Sequence, residues 1–219
     1  MIDPKKVKIF TFTALITFVS AIILGYIVAQ FDPDGYNMVK NYISDMGSFN
    51  HTPIPYFLDF GNMISSVLLI PCAFYLEKQL APLPKKIEEI ENISRTRLRL
   101  GSLGLIWMLI GLVGMWGTGF FSEDRTTELG LHWTFTIVVF GGFAMTGYFY
   151  GLLIAFYDTY IPKLLGIYMI FGPSIIAIIL FSQGFQPLHE WIMFFSLFAW
   201  IIPVGLYSLK QINLEFSSK

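Results

Sequence analysis

An all-α polytopic membrane protein, six transmembrane helices in one bundle with both termini cytoplasmic, follows from three features of this 219-residue chain. It is 55% hydrophobic and only 13% charged, too few polar residues to cover a soluble domain of this size. Its apolar residues gather into six runs long enough to cross a bilayer, which takes roughly 20 residues as helix. Its basic residues fall almost wholly on one side of those runs.

The runs are Val7 to Gln30, Pro55 to Leu76, Leu100 to Phe121, His132 to Phe156, Leu164 to Gln183 and Glu190 to Leu209. The first follows Lys5, Lys6 and Lys8 as a signal peptide would. It is longer than a signal core, however, and no small-x-small cleavage site closes it, so it is expected to be a retained helix. The second carries Asp59 and Asn62 in its first turns. In the third, Gly111, Gly114 and Gly117 recur every three residues, and the fourth holds the pair Gly147 and Gly151. Small residues at such spacing let membrane helices approach closely. Pro71, Pro173 and Pro203 mark expected kinks.

Basic flanks resist translocation. With the N-terminus inside, all 14 lysines and arginines except Lys40 and Arg125 fall on the cytoplasmic side. Glu77 to Arg99 is then expected as a charged cytoplasmic loop, partly helical through Lys85–Glu89, and most simply a solvated connector. There is no repeat or domain boundary, so residues 1–219 are expected to form a single transmembrane domain. A net charge of -1 without a basic tract excludes a nucleic-acid partner. Cys72, the one cysteine, excludes an intrachain disulfide and a cysteine-based metal site.

The polar residues gather on the outer side. His51, His132 and His189 all fall there, and Asp59, Asn62 and Ser66 share one helix face, which should turn inward because polar groups facing lipid are costly. His132 aligns with Thr136, and Glu190 opens the sixth span, where a helix N-terminus favours an acid. Ser44, Asp45, Asp59, Asn62, His132 and Glu190 are therefore the expected lining of an outward-facing polar pocket, with an Asp45–His132 pair at its heart.

The leading reading is a pocket that binds a membrane-lipid headgroup or orders the first outer loop. One alternative is a metal-assisted hydrolase or lipid-remodelling transferase. Zinc would be its metal and Asp45, His132 and His189 its candidate ligands, although no zincin spacing follows His189. Acyl transfer by Ser44 with His132 is a further alternative without a nucleophile-elbow motif. A transporter is disfavoured because the middles of the spans are nearly free of ionisable residues. No cofactor is assigned, and Asn50 in Asn50-His51-Thr52 is a formal glycosylation acceptor.

The run Asn41-Tyr42-Ile43-Ser44-Asp45-Met46-Gly47, the histidine opening the fourth span (His132) and the pair Glu190-Trp191 opening the last together resemble a known family. It is that of the damage-regulated autophagy modulators (DRAM), the FGF-receptor-activating protein and GPI-remodelling-like proteins. Similar short signatures occur in prokaryotic six-span families of unknown function. The resemblance implies a six-span bundle with cytoplasmic ends and a role in membrane-lipid handling or trafficking, in the cell membrane or, for a eukaryotic chain, an endomembrane. His189 stands outside the family's pattern, and the resemblance carries no catalytic residues.

Overall fold

Each apolar run becomes one helix. The computed structural model describes residues 3–83 and 94–217. Its helices are α1 (Pro4–Ala29), α2 (Tyr56–Leu80), α3 (Arg95–Phe120), α4 (Leu131–Phe156), α5 (Lys163–Gln183) and α6 (Pro187–Ser217), and no strand occurs among the described residues. All six are long and apolar enough to cross a membrane. The shortest, at 21 residues, spans about 31 Å at 1.5 Å per residue, close to the thickness of the hydrocarbon layer.

Helix ends differ from the apolar runs where charged residues carry the helix onward. Glu77 and Lys78 lie in α2, while Arg95, Arg97 and Arg99 lie in α3, so the expected Glu77–Arg99 loop is shorter than its charge pattern suggested. Arg97 helps to explain this. Its Nε donates to the Leu80 carbonyl at 2.8 Å and its Nη2 to the Asp158 carbonyl at 3.3 Å, satisfying an orphan acceptor at the end of α2. The expected helical stretch Lys85–Glu89 lies outside the described residues. Pro71, Pro173 and Pro203 all sit inside their helices.

Between membrane helices, close approach replaces the hydrophobic drive as the source of packing energy. α3 and α4 form the most extensive pairing, and α1 with α2, α2 with α3 and α4 with α5 follow. The predicted glycines make these seams. A Cβ on Gly142 would lie 2.5 Å from Gly111 Cα, Gly114 lies against the backbone of Val138 and Val139, and Gly117 sits under the Phe135 ring. Gly151 meets α5 instead, where a Cβ would lie 2.7 Å from the Gly166 carbonyl oxygen. By contrast α6 touches α5, α1 and α4 only lightly, and a long cavity is left beside it.

Candidate functional site: a polar-ended cavity beneath a stapled loop

Helices alternate in direction, so the ends of α1, α3 and α5 and the starts of α2, α4 and α6 meet at one end of the bundle. The α1–α2 loop closes that end. It folds inward: Ser44–Gly47 forms a 3-10 turn in which Met46 is wholly buried and Asp45 only 5% exposed. Its backbone groups are taken up by the rest of the protein, as burial demands. Ile43 N donates to Glu190 Oε2 at 2.7 Å, and Trp191 Nε1 donates to the Asn41 carbonyl at 3.0 Å. The Glu-Trp pair opening α6 is thus a staple for the Asn41–Gly47 run.

A second staple comes from the α3–α4 loop. Arg125 Nη2 donates to Asp59 Oδ2 at 2.6 Å, to the Gly47 carbonyl at 2.7 Å and to Ser122 Oγ at 2.6 Å, while its Nε donates to Asp124 Oδ1 at 3.1 Å. The guanidinium carbon lies 5.3 Å from the ring centroids of both Phe49 and Tyr56. Asp124 Oδ2 also accepts from Phe49 N at 2.7 Å. Burial works against the Asp124 carboxylate, but the Phe49 amide and the Arg125 guanidinium outweigh it and hold its pKa below the ordinary value. Gly47 is required at the junction: a Cβ there would lie 2.7 Å from Asp59 Oδ1.

Asp45 does not meet His132. Its Oδ2 accepts from Tyr42 N at 2.9 Å and lies 4.0 Å from His51 Nε2, while His51 Nδ1 lies 3.2 Å from Asp32 Oδ2. Burial pushes the Asp45 carboxyl up, with Glu123 adding to it and His51 opposing. His132 Nδ1 lies 2.6 Å from the Phe121 carbonyl, which can only accept, so the ring donates there. The reason is local geometry. Successive side chains in a 3-10 turn stand about 120° apart, so Ser44 and Asp45 cannot face the same way.

Ser44, Asp59, Asn62, His132 and Glu190 do come together, around one end of the cavity beside α6. Asn62 Nδ2 donates to Thr118 Oγ1 at 3.4 Å, and Thr136 Oγ1 donates to the His132 carbonyl at 3.0 Å. Deeper, the walls turn apolar, with Phe18 and Leu15 of α1, Leu69 of α2, Met115 of α3, Phe140 of α4, and Phe194, Leu197 and Ile201 of α6. The cavity is about 140 Å³. From Glu190 to Gly205 its α6 wall runs about 22 Å at 1.5 Å per residue.

The three proposed metal ligands do not converge. Asp45 faces His51, His132 faces the Phe121 carbonyl, and His189 Nδ1 lies 3.2 Å from the Gly184 carbonyl outside the cavity. Among the described residues no group of three or more His, Cys, Asp or Glu side chains is arranged to hold a metal ion. A Ser-His-acid relay is not assembled either, because the His132 Nδ1 that an acid would orient is bonded to a main-chain carbonyl.

The charge and motif patterns did not single out Arg125, Asp124, Ser122 or His51 as site residues. A signal for Arg125 was present: a buried Asp59 needs a cation, and only Lys40 and Arg125 fall at that end.

No curated protein and no solved structure matches the chain. A family model described as the Frag1/DRAM/Sfk1/Cwh43P N-terminal domain matches residues 7–204, a span that runs from the first turn of α1 into α6 and takes in both staples. On that match the chain is an integral membrane protein of the Frag1/DRAM/Sfk1/Cwh43P family.

Proposed function

We propose that this protein handles membrane lipid by admitting one lipid chain into the cavity beside α6, with the lipid's polar group against Ser44, Asn62, His132 and Glu190. In this reading both termini are cytoplasmic and the polar end lies at the outer leaflet, as the distribution of lysine and arginine favours. The observation that carries it is the cavity's lining, mostly apolar along the bundle, with Thr11 toward its far end and its polar groups otherwise gathered beneath the stapled loop. A cavity of about 140 Å³ is near the size of one that holds a single benzene in a protein core, so the slot suits the first several carbons of one slender chain and not a whole two-chain lipid.

The test is lipid analysis of protein purified in mild detergent, compared with Val139→Phe and Leu197→Trp, which fill the slot from α4 and α6. Wild type should retain lipid at a fixed ratio to protein, and both variants should lose it while still melting cooperatively. Lipid-free wild type, or equal retention in both filled variants, would refute the reading. Orientation is tested separately with Leu129→Cys and a membrane-impermeant maleimide on whole cells. Leu129 is exposed at the stapled end and the native Cys72 is buried, so labelling should report only the new thiol.

A further inference from the structure

Buried polar groups in a finished protein are nearly always partnered, so an acceptor left open at the mouth of a cavity describes its missing partner. Glu190 is 5% exposed, and one of its oxygens takes the Ile43 amide. The other oxygen has no hydrogen-bond partner and the carboxylate no facing cation among the described residues, and no lysine or arginine lines the cavity. The nearby cation, Arg125, is committed to Asp59 and Asp124.

The donors around this end are mostly spent. Thr136 Oγ1 donates to the His132 carbonyl, Thr118 Oγ1 to the Met115 carbonyl, and the His132 ring to the Phe121 carbonyl. Among the described residues there, the Ser44 hydroxyl and one N–H of the Asn62 amide are the donors left uncommitted. Among the described residues at this end acceptors therefore outnumber donors, and no lysine or arginine faces Glu190. A phosphate or carboxylate placed there would meet the open Glu190 oxygen with no free cation to answer it.

We infer that the polar group admitted to this cavity is a hydrogen-bond donor without negative charge, a lipid hydroxyl or amine that donates to Glu190. This rests on the cavity being a lipid site, as proposed above. It narrows that reading to lipids that present a free alcohol or ammonium beside the chain, and it excludes fatty acids and lipids whose inserted group is a phosphate.

Four probes with the same hydrocarbon chain separate the possibilities: oleyl alcohol, oleylamine, oleate and oleyl methyl ether. Binding to the delipidated full-length protein is measured by native mass spectrometry. The alcohol, the amine or both should bind at least about tenfold tighter than oleate and the ether, the equivalent of about 1.4 kcal/mol. In Glu190→Gln, whose amide oxygen still accepts from Ile43 while its NH2 replaces the open oxygen, the advantage of both the amine and the alcohol over oleate and the ether should vanish. Oleate binding as well as the alcohol and amine, or all four probes binding alike, overturns the inference while leaving the chain slot standing. Failure of all four to bind overturns the slot itself, and the inference with it.

Discussion

Arg125→Ala isolates what the second staple contributes. The substitution removes the charged partner of Asp59, whose side chain is 8% exposed, along with the donors to Gly47 and Ser122. Stranding one member of a fully buried pair costs about 3 to 5 kcal/mol, whereas an exposed pair contributes about 0 to 1 kcal/mol. Because the Arg125 side chain is 35% exposed, solvent screens part of the interaction and the expected loss is about 2 to 3 kcal/mol. For a chain of this length that lowers Tm by about 4 to 12 °C. Thermal unfolding in detergent is the assay. Adding Asp59→Asn to Arg125→Ala should recover part of the loss, since a neutral amide is cheaper to bury than an unanswered carboxylate. Lys163→Ala is the control, because its pairing with Asp158 at 3.7 Å is exposed on both sides and should leave Tm unchanged. An Arg125→Ala protein that melts with wild type, or one that Asp59→Asn fails to rescue, would refute this account of the staple.

Two further outcomes follow from the same end of the bundle. In double-mutant cycles, Asp45→Ala should couple to His51→Ala and add independently with His132→Ala, since of these two histidines it is His51 that approaches the Asp45 carboxylate; coupling to His132 instead would contradict the loop geometry. Asp124 titrates below its ordinary value when folded, so the unfolded chain binds the proton more readily. Its stabilisation is present above about pH 4 and is lost as pH falls through the lower folded value. Melting temperature measured against pH should therefore fall more steeply on the acid side in wild type than in Asp124→Asn, and parallel curves would count against the Phe49–Asp124 link.

Helix number and membrane character were legible because both rest on bulk physics: six apolar runs, and glycines at spacings that let backbones touch. The ends were less so. α2 reaches Leu80 and α3 starts at Arg95 because hydrogen bonding continues past the last apolar residue, and a hydropathy pattern does not register that. Within the site, the gathering of Ser44, Asp59, Asn62, His132 and Glu190 followed from keeping polar groups out of lipid. The Asp45–His132 pairing failed because it relied on a shared neighbourhood and ignored the direction in which a tight turn aims neighbouring side chains. Arg125 escaped a reading that counted positive charges for orientation without asking which buried acid each would answer.

The loop's partners lie far along the chain, and synthesis must reach them before it can settle. Glu190 follows Ile43 by 147 residues, and Trp191 follows Asn41 by 150. At roughly 5 to 20 residues per second, a ribosome takes about 7 to 30 s to cover that interval. Through that time the Ile43 amide and the Asn41 carbonyl lack their final partners, and water or a membrane-embedded chaperone must occupy them. The last hairpin to enter the bilayer therefore completes the closure of the first loop, and a chain interrupted after α5 holds this end by the Arg125 and Asp124 contacts.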